Sequence, residues 1–268
     1  MLWAGENYDE SGREDSMPNL ESPTLQGKCA LITGGARRIG AAIAACLHDR
    51  GANVAIHYRG SKNEATDLRN ELNRIRPNSA EVFQADLNDI NKTESLVAAV
   101  VDWSGRIDAL INNASSFYPT PVGSITGEHW DELVGSNLRA PLFLSQAALP
   151  MLRSSKGCIV NIVDIHALRP LRNHAVYGSA KAGLAMLTRS LAKDLAPDVR
   201  VNGVAPGAIM WPENGMSDDI KNNIIDQIPL GRQGQPGDIA GAVLYLVQDA
   251  TYVTGQIVAI DGGRSLGW

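Results

Sequence analysis

The chain is expected to form a single α/β domain built on a doubly wound parallel sheet with helices on both faces. Three observations predict this. Short apolar, β-branched runs alternate with helically spaced stretches from Gly27 onward. The segments between runs are long enough for the crossovers that parallel neighbours require. A glycine-rich turn directly follows the first run, where such folds open their ligand crevice.

Taken in order, residues 30–32, 54–56, 82–85, 109–111 and 159–163 read as strands, with two more at 199–204 and 256–260. Their near-continuous Val, Ile, Leu and Ala suit strands covered on both faces. Residues 39–50, 63–75, 92–103 and 175–195 repeat apolar positions at helical spacing and supply crossovers. No internal repeat, low-complexity tract or Pro/Gly-rich linker interrupts the chain after residue 26, so residues 25–268 are expected to be one domain.

Residues 1–24 differ in kind. They carry six acids and one base, Arg13, which accounts for the whole formal charge of −5; acids and bases balance in the remainder. This acidic segment mixes Gly, Ser and Pro with few periodic apolar positions, lacks the pattern of a secretory signal, and is expected to be disordered. Met17 is an alternative start. A neutral remainder gives no basic surface for nucleic acid and no field for a membrane. Cys29, Cys46 and Cys158 form no CxxC pair, so neither a disulfide framework nor a metal site is expected, and buried thiols in a reducing cytoplasm are.

The turn Thr33-Gly34-Gly35-Ala36-Arg37-Arg38-Ile39-Gly40 lets backbone approach a pyrophosphate and points the first N–H groups of a helix at it, as in Rossmann-like dinucleotide sites. A plain tight turn is the alternative. The second strand ends in His57-Tyr58-Arg59-Gly60-Ser61, without the acid that would bind an unphosphorylated ribose. Arg59 can pair a 2′-phosphate and Ser61 can add a hydroxyl, which favours NADPH/NADP+ over NADH. An ordinary loop charge at Arg59 is the competing reading. Asp86-Leu87 and Asn112-Asn113-Ala114 close the third and fourth strands, either beside the cofactor or as turn chemistry.

Tyr177 and Lys181 are four apart on the last long helix, so they share a face. An ammonium there is expected to lower the tyrosine's pKa and make it a proton donor, while also holding the nicotinamide ribose. A surface tyrosine beside a lysine is the bland alternative. What lifts the pair is its company: Thr33–Gly40, Asn112-Asn113-Ala114, Asn137, Tyr177-x-x-x-Lys181 and Pro206-Gly207 resemble, in order and spacing, the short-chain dehydrogenase/reductase family over residues 28–263.

That family has a serine thirteen residues before the tyrosine, and here the position is Asp164. A carboxylate cannot donate to a ketone oxygen, which speaks against ordinary carbonyl reduction. It suits a C=N bond flanked by N–H donors, as in a pterin. A loop cap at Asp164, with Ser179 as donor, is the alternative.

Further features resemble pteridine reductases of the family's bacterial branch. Arg38 stands where most members have glycine and is implied to bridge cofactor and substrate. In Asn113-Ala114-Ser115-Ser116-Phe117-Tyr118-Pro119 the resemblance implies that Phe117 stacks on the pterin and that Ser115 contacts ligand. The stretch 205–213, with Trp211, looks like the same branch. Core or lid packing is the other reading of Phe117 and Trp211.

The chain departs from the parasite enzymes at Ile209, where they have serine, and at Gly267-Trp268, where they carry an arginine that reaches a neighbouring subunit. The resemblance implies NADPH-dependent reduction of a pterin or folate by Tyr177, Lys181, Asp164 and a relay water on Asn137. It also implies a homo-oligomer, in the family usually a tetramer. A generic carbonyl or 3-oxoacyl-carrier-protein reductase and a non-catalytic NADPH-binding protein are the rivals.

Overall fold

The computed structural model describes residues 25–211 and 215–267. The acidic segment 1–24, the Met17 question and Trp268 lie outside the described residues. Seven strands form one parallel sheet: β1 (Cys29–Ile32), β2 (Asn53–Tyr58), β3 (Ala80–Gln84), β4 (Ala109–Asn112), β5 (Cys158–Ile162), β6 (Arg200–Pro206) and β7 (Ile257–Ile260), in the order β3-β2-β1-β4-β5-β6-β7. The order reverses between β1 and β4, as a doubly wound sheet requires, and the crevice opens there.

Alternation along each strand builds two cores. Ile32, Ile56, Ile111 and Val160 face α1 (Arg38–Asp49) and α8 (Pro236–Gln248), packing on Ile43, Leu47 and Val243. Leu31, Ala55, Leu110 and Ile159 point the other way, onto Leu96 and Val100 of α3 (Ile90–Ser104) and Leu144 and Leu152 of α5 (Ala140–Ser155). Each such buried aliphatic side chain stabilises the fold by about 1.5–3 kcal/mol relative to exposure. The remaining helices are α2 (Lys62–Ile75), α4 (Gly127–Val134), α6 (Ala175–Leu195) and α7 (Asp218–Ile225).

The expected strands and helices are all present, with shifted ends. β3 starts at Ala80 rather than 82, and β6 runs through Pro206, whereas α6 matches 175–195 residue for residue. α4 and α5 join through a π-helical turn, Gly135–Arg139, into one rod. Leu184, Leu187, Leu191 and Leu195 of α6 pack against the sheet side of the molecule, in two core clusters.

Polar side chains fix the crevice to this frame. Asn113 Nδ2 donates to the carbonyls of Thr33 (2.9 Å) and Gly34 (3.0 Å), tying the end of β4 to the turn after β1. Thr33 Oγ1 accepts from the backbone N–H groups of Asn113 and Ala114. Behind them, Asn112 Nδ2 donates to Asn161 Oδ1, Asn161 Nδ2 to Thr188 Oγ1, and Thr188 to the Leu184 carbonyl, a buried chain from β4 through β5 to α6.

His57 lines the crevice and also holds the glycine turn in place. Its ring is buried, Nδ1 accepts from the Gly34 N–H at 3.1 Å, and Nε2 faces the Ala85 carbonyl at 3.1 Å, so the proton sits on Nε2. Its imidazole supports the turn from below. The ring of Tyr58, at the end of β2, packs into the core. Burial, only partly offset by the Ala85 carbonyl and Asp86, pushes His57 down to about 4.

A Cβ at Gly40 would lie 2.6 Å from Asn113 Nδ2 and collide with the Gly34 carbonyl. Gly40→Ala should therefore cost about 1–3 kcal/mol in urea unfolding. His57, folded, titrates below its ordinary 6.5. Its stability contribution is therefore whole above that value and drains as pH falls toward 4, by on the order of 3 kcal/mol. Unfolding at pH 7 and pH 5 should show the decline, and His57→Asn should flatten it.

Candidate active site

The crevice is built where β1, β2, β3 and β4 end. Gly34, His57, Arg59, Asp86, Leu87 and Ser115 line a cleft of about 150 Å³ there. Gly34 adopts φ +59°, and Arg38 adopts φ +53°, a left-handed conformation uncommon outside glycine. α1 begins at Arg38 with no side-chain cap, and α2 begins after Ser61 likewise, so first-turn N–H groups of both helices, apart from the Lys62 N–H bound to the Gly60 carbonyl, are free to meet anionic oxygens. These are the features a dinucleotide phosphate needs, and the residues present fit one.

The basic side chains expected at this site are placed as follows. Arg37 is exposed and ion-paired with Glu64 at 3.6 Å. Arg38 reaches across to the Met210 carbonyl at 3.5 Å, linking the glycine turn to the loop after β6. Half-buried Trp211 ends the described part of that loop. Arg59 faces Glu132 at 3.8 Å, with both side chains substantially exposed. Asp86 accepts from the Asn88 N–H, Leu87 is buried, and Ile39 is half-buried. Gly207, after Pro206, passes so close to Asp261 that a Cβ would stand 2.6 Å from its Cβ.

On the other side of the crevice, Asp164 ends the stretch after β5. Its Oδ1 caps the short 3-10 turn Ile165–Ala167 through the His166 N–H, and its Oδ2 accepts from Tyr177 Oη at 2.7 Å. One carboxylate thus both caps the turn and meets the tyrosine. Ser179, the alternative donor, lies on the exposed face of α6.

Tyr177 is 4% exposed, and burial, the Asp164 charge and its hydrogen bond hold its hydroxyl well above the ordinary tyrosine range, with the Ser115 hydroxyl pulling the other way. Lys181 Nζ sits 5.8 Å from the ring centroid and donates to the Ile162 carbonyl at 2.8 Å. Burial pushes the lysine down to about 8, against the pull of Asp164.

Asn137 is buried in the π-helical turn. Its Nδ2 donates to the Ser116 and Leu133 carbonyls, both at 2.9 Å, and its Oδ1 accepts from Ser115 Oγ at 2.7 Å. Through these bonds Asn137 positions Ser115 at the edge of the crevice.

Phe117 is 53% exposed at the mouth. It stacks on His174 (centroids 4.7 Å, 16°) and meets Tyr177 edge-on at 4.8 Å. Neither His174 nor Glu132 was expected. Glu132 accepts from Ser116 and Tyr118 while facing Arg59. The position of His174 three residues before Tyr177 was the one sequence signal available for it.

A family model described as "Enoyl-(Acyl carrier protein) reductase" matches residues 34–265. The chain is 36% identical over 240 residues to the 3-oxoacyl-acyl-carrier-protein reductase FabG of Staphylococcus aureus, covering 88% of this chain and 97% of that protein. It is 37% identical over 287 residues to pteridine reductase 1 of Leishmania tarentolae, covering 91% and 98%. Among solved structures it is similar to a blue fluorescent protein from a metagenomic library in complex with NADPH. The TM-score is 0.85 at 35% identity, over 90% of this chain and 99% of that one. With the Rossmann-like sheet, the glycine turn and the Tyr177–Lys181 pair in place, the chain belongs to the short-chain dehydrogenase/reductase family of oxidoreductases.

Proposed function

We propose that the protein is an NADPH-dependent pteridine reductase, converting dihydropterins of the biopterin or folate type to tetrahydropterins. The observation that carries this reading is the 2.7 Å hydrogen bond from Tyr177 to Asp164, where ketone reductases of the family have a serine. Similarity to an NADPH-bound structure and to a pteridine reductase supports it.

The bound cofactor supplies a hydride at the crevice. The chain's own residues do the rest. The open helix starts at Arg38 and Lys62, with Arg37, Arg38 and Arg59, bind phosphate, Arg59 exchanging Glu132 for the 2′-phosphate. Phe117, already edge-on to Tyr177, offers a face on which a pterin can stack. Asp164 accepts from ring N–H donors, and Tyr177 holds the proton that goes to nitrogen. Buried Lys181 keeps a positive charge near the cofactor ribose and the Tyr177 hydroxyl. The exposed Val258, Tyr245 and Tyr252 around β7 and α8 support a homo-oligomer.

The second reading, a 3-oxoacyl-carrier-protein or carbonyl reductase, is favoured by a similarity to FabG as strong as that to the pteridine reductase. The two are separated by NADPH oxidation at 340 nm with dihydrobiopterin, dihydrofolate and a simple ketone. Turnover of a pterin and not the ketone is expected; the reverse would make Asp164 a structural cap in a carbonyl reductase. Asp164→Ser should lower dihydropterin turnover by about 100-fold or more, with NADPH affinity, read by fluorescence titration, close to wild type.

A further inference from the structure

A second cavity, of about 790 Å³, is lined by Asp164, the carboxylate that meets Tyr177. Its volume lies within the range of small-molecule sites. Much of the wall is apolar, with Ala185 of α6 and Ile257 and Ala259 of β7, and three arginines, Arg169, Arg189 and Arg264, reach it against one carboxylate, Asp164.

Two of the arginines are uncommitted. The Arg264 and Arg189 guanidinium groups make no hydrogen bond or ion pair among the described residues. Arg264 is half-buried, and desolvation lowers its pKa despite the attraction of Asp164 and Asp261. Neither acid offers it a hydrogen bond. Asp164 is occupied by His166 N–H and Tyr177 Oη, and Asp261 by the N–H groups of Gly263 and Ser265. Arg169, by contrast, donates to the Gly267 carbonyl. A planar fork held partly out of water without acceptors is poised for a carboxylate, which it binds bidentately.

We propose that this cavity is a subsite for an anionic arm of the substrate, in which Arg264 and Arg189 bind the arm's carboxylate while its apolar body lies on Ala185, Ile257 and Ala259. The proposal rests on the pterin reading above for what occupies the site at Tyr177. In that reading the reducible ring sits at Tyr177 and Asp164, and Asp164 also lines this cavity, so the arm need only pass one residue to enter it. A benzoylglutamate arm has the required chemistry, an apolar ring followed by carboxylates.

The test uses two substrates with one ring: dihydrofolate, with the carboxylate arm, and dihydrobiopterin, without it. In Arg264→Gln and in Arg189→Gln the KM for dihydrofolate should rise about tenfold or more, the loss of one charge-assisted hydrogen bond. The KM for dihydrobiopterin should stay within about twofold in Arg189→Gln, whose side chain is exposed on α6. Equal effects on both substrates, or none on dihydrofolate, would overturn the subsite. Arg189→Gln decides the matter alone if Arg264→Gln unfolds. If wild-type protein reduces neither pterin, the functional reading has failed and the subsite is judged by calorimetry with 4-aminobenzoyl-glutamate. Binding to wild type that is lost in Arg189→Gln sustains it, and no binding to wild type removes it.

Discussion

One side-chain amide holds the crevice together. By donating to two successive carbonyls, those of Thr33 and Gly34, Asn113 ties the end of β4 to the turn after β1 at the point where the sheet changes direction. Those carbonyls cannot be satisfied by a strand ladder there, because the turn has left the sheet, and buried carbonyls left unpaired would be costly. The position of the turn then sets the start of α1, and the start of α1 sets where an anion can lie. His57 completes the clamp from below by accepting the Gly34 N–H. Gly40 completes it from above, because only a residue without a side chain lets the helix approach that closely.

Across the crevice, the same carboxylate that caps a 3-10 turn also accepts the tyrosine's hydrogen bond. Asp164 is thereby held rigidly by the backbone it caps, and Tyr177 is held by Asp164. The resting arrangement keeps the phenol protonated, since both burial and the neighbouring charge oppose a phenolate. Lys181 is committed to the Ile162 carbonyl. In the proposed reaction, a ligand that engages Asp164 relieves one of the two influences that hold the phenol protonated, so proton delivery is tied to occupancy of the site.

The sheet was legible because strands buried on both faces need unbroken apolar runs, and those runs stand out between polar crossovers. α5 and α8 were harder to see. α5 carries Pro141 and Pro150 and is buried along much of its length, and α8 is apolar on most sides, so neither shows a clean polar face. Tyr177 and Lys181 were legible from spacing on one helix, and Asp164 from the resemblance to the family's serine position. Glu132 and His174 were not, because their meaning comes from partners on other elements: Arg59, Ser116 and Tyr118 for one, Phe117 for the other. Residue type suggested that Asn137, His57 and Lys181 would act on ligand directly. Their hydrogen bonds to the chain itself depend on tertiary distances that spacing does not encode.

The π-helical turn between α4 and α5 carries one residue more than an α-helical turn would. The rod from Gly127 to Ser155 is therefore out of phase with itself across residues 135–139. Removing a single residue there would restore a regular ladder and rotate everything on the α4 side by about 100° relative to α5. Glu132 and Leu133 would swing away from the groups they meet, and Asn137 would lose its hold on Ser115. A segment that looks like ordinary surface helix is in this sense a fixed phase offset, tolerant of many side-chain replacements along its outer side and intolerant of any change in its length.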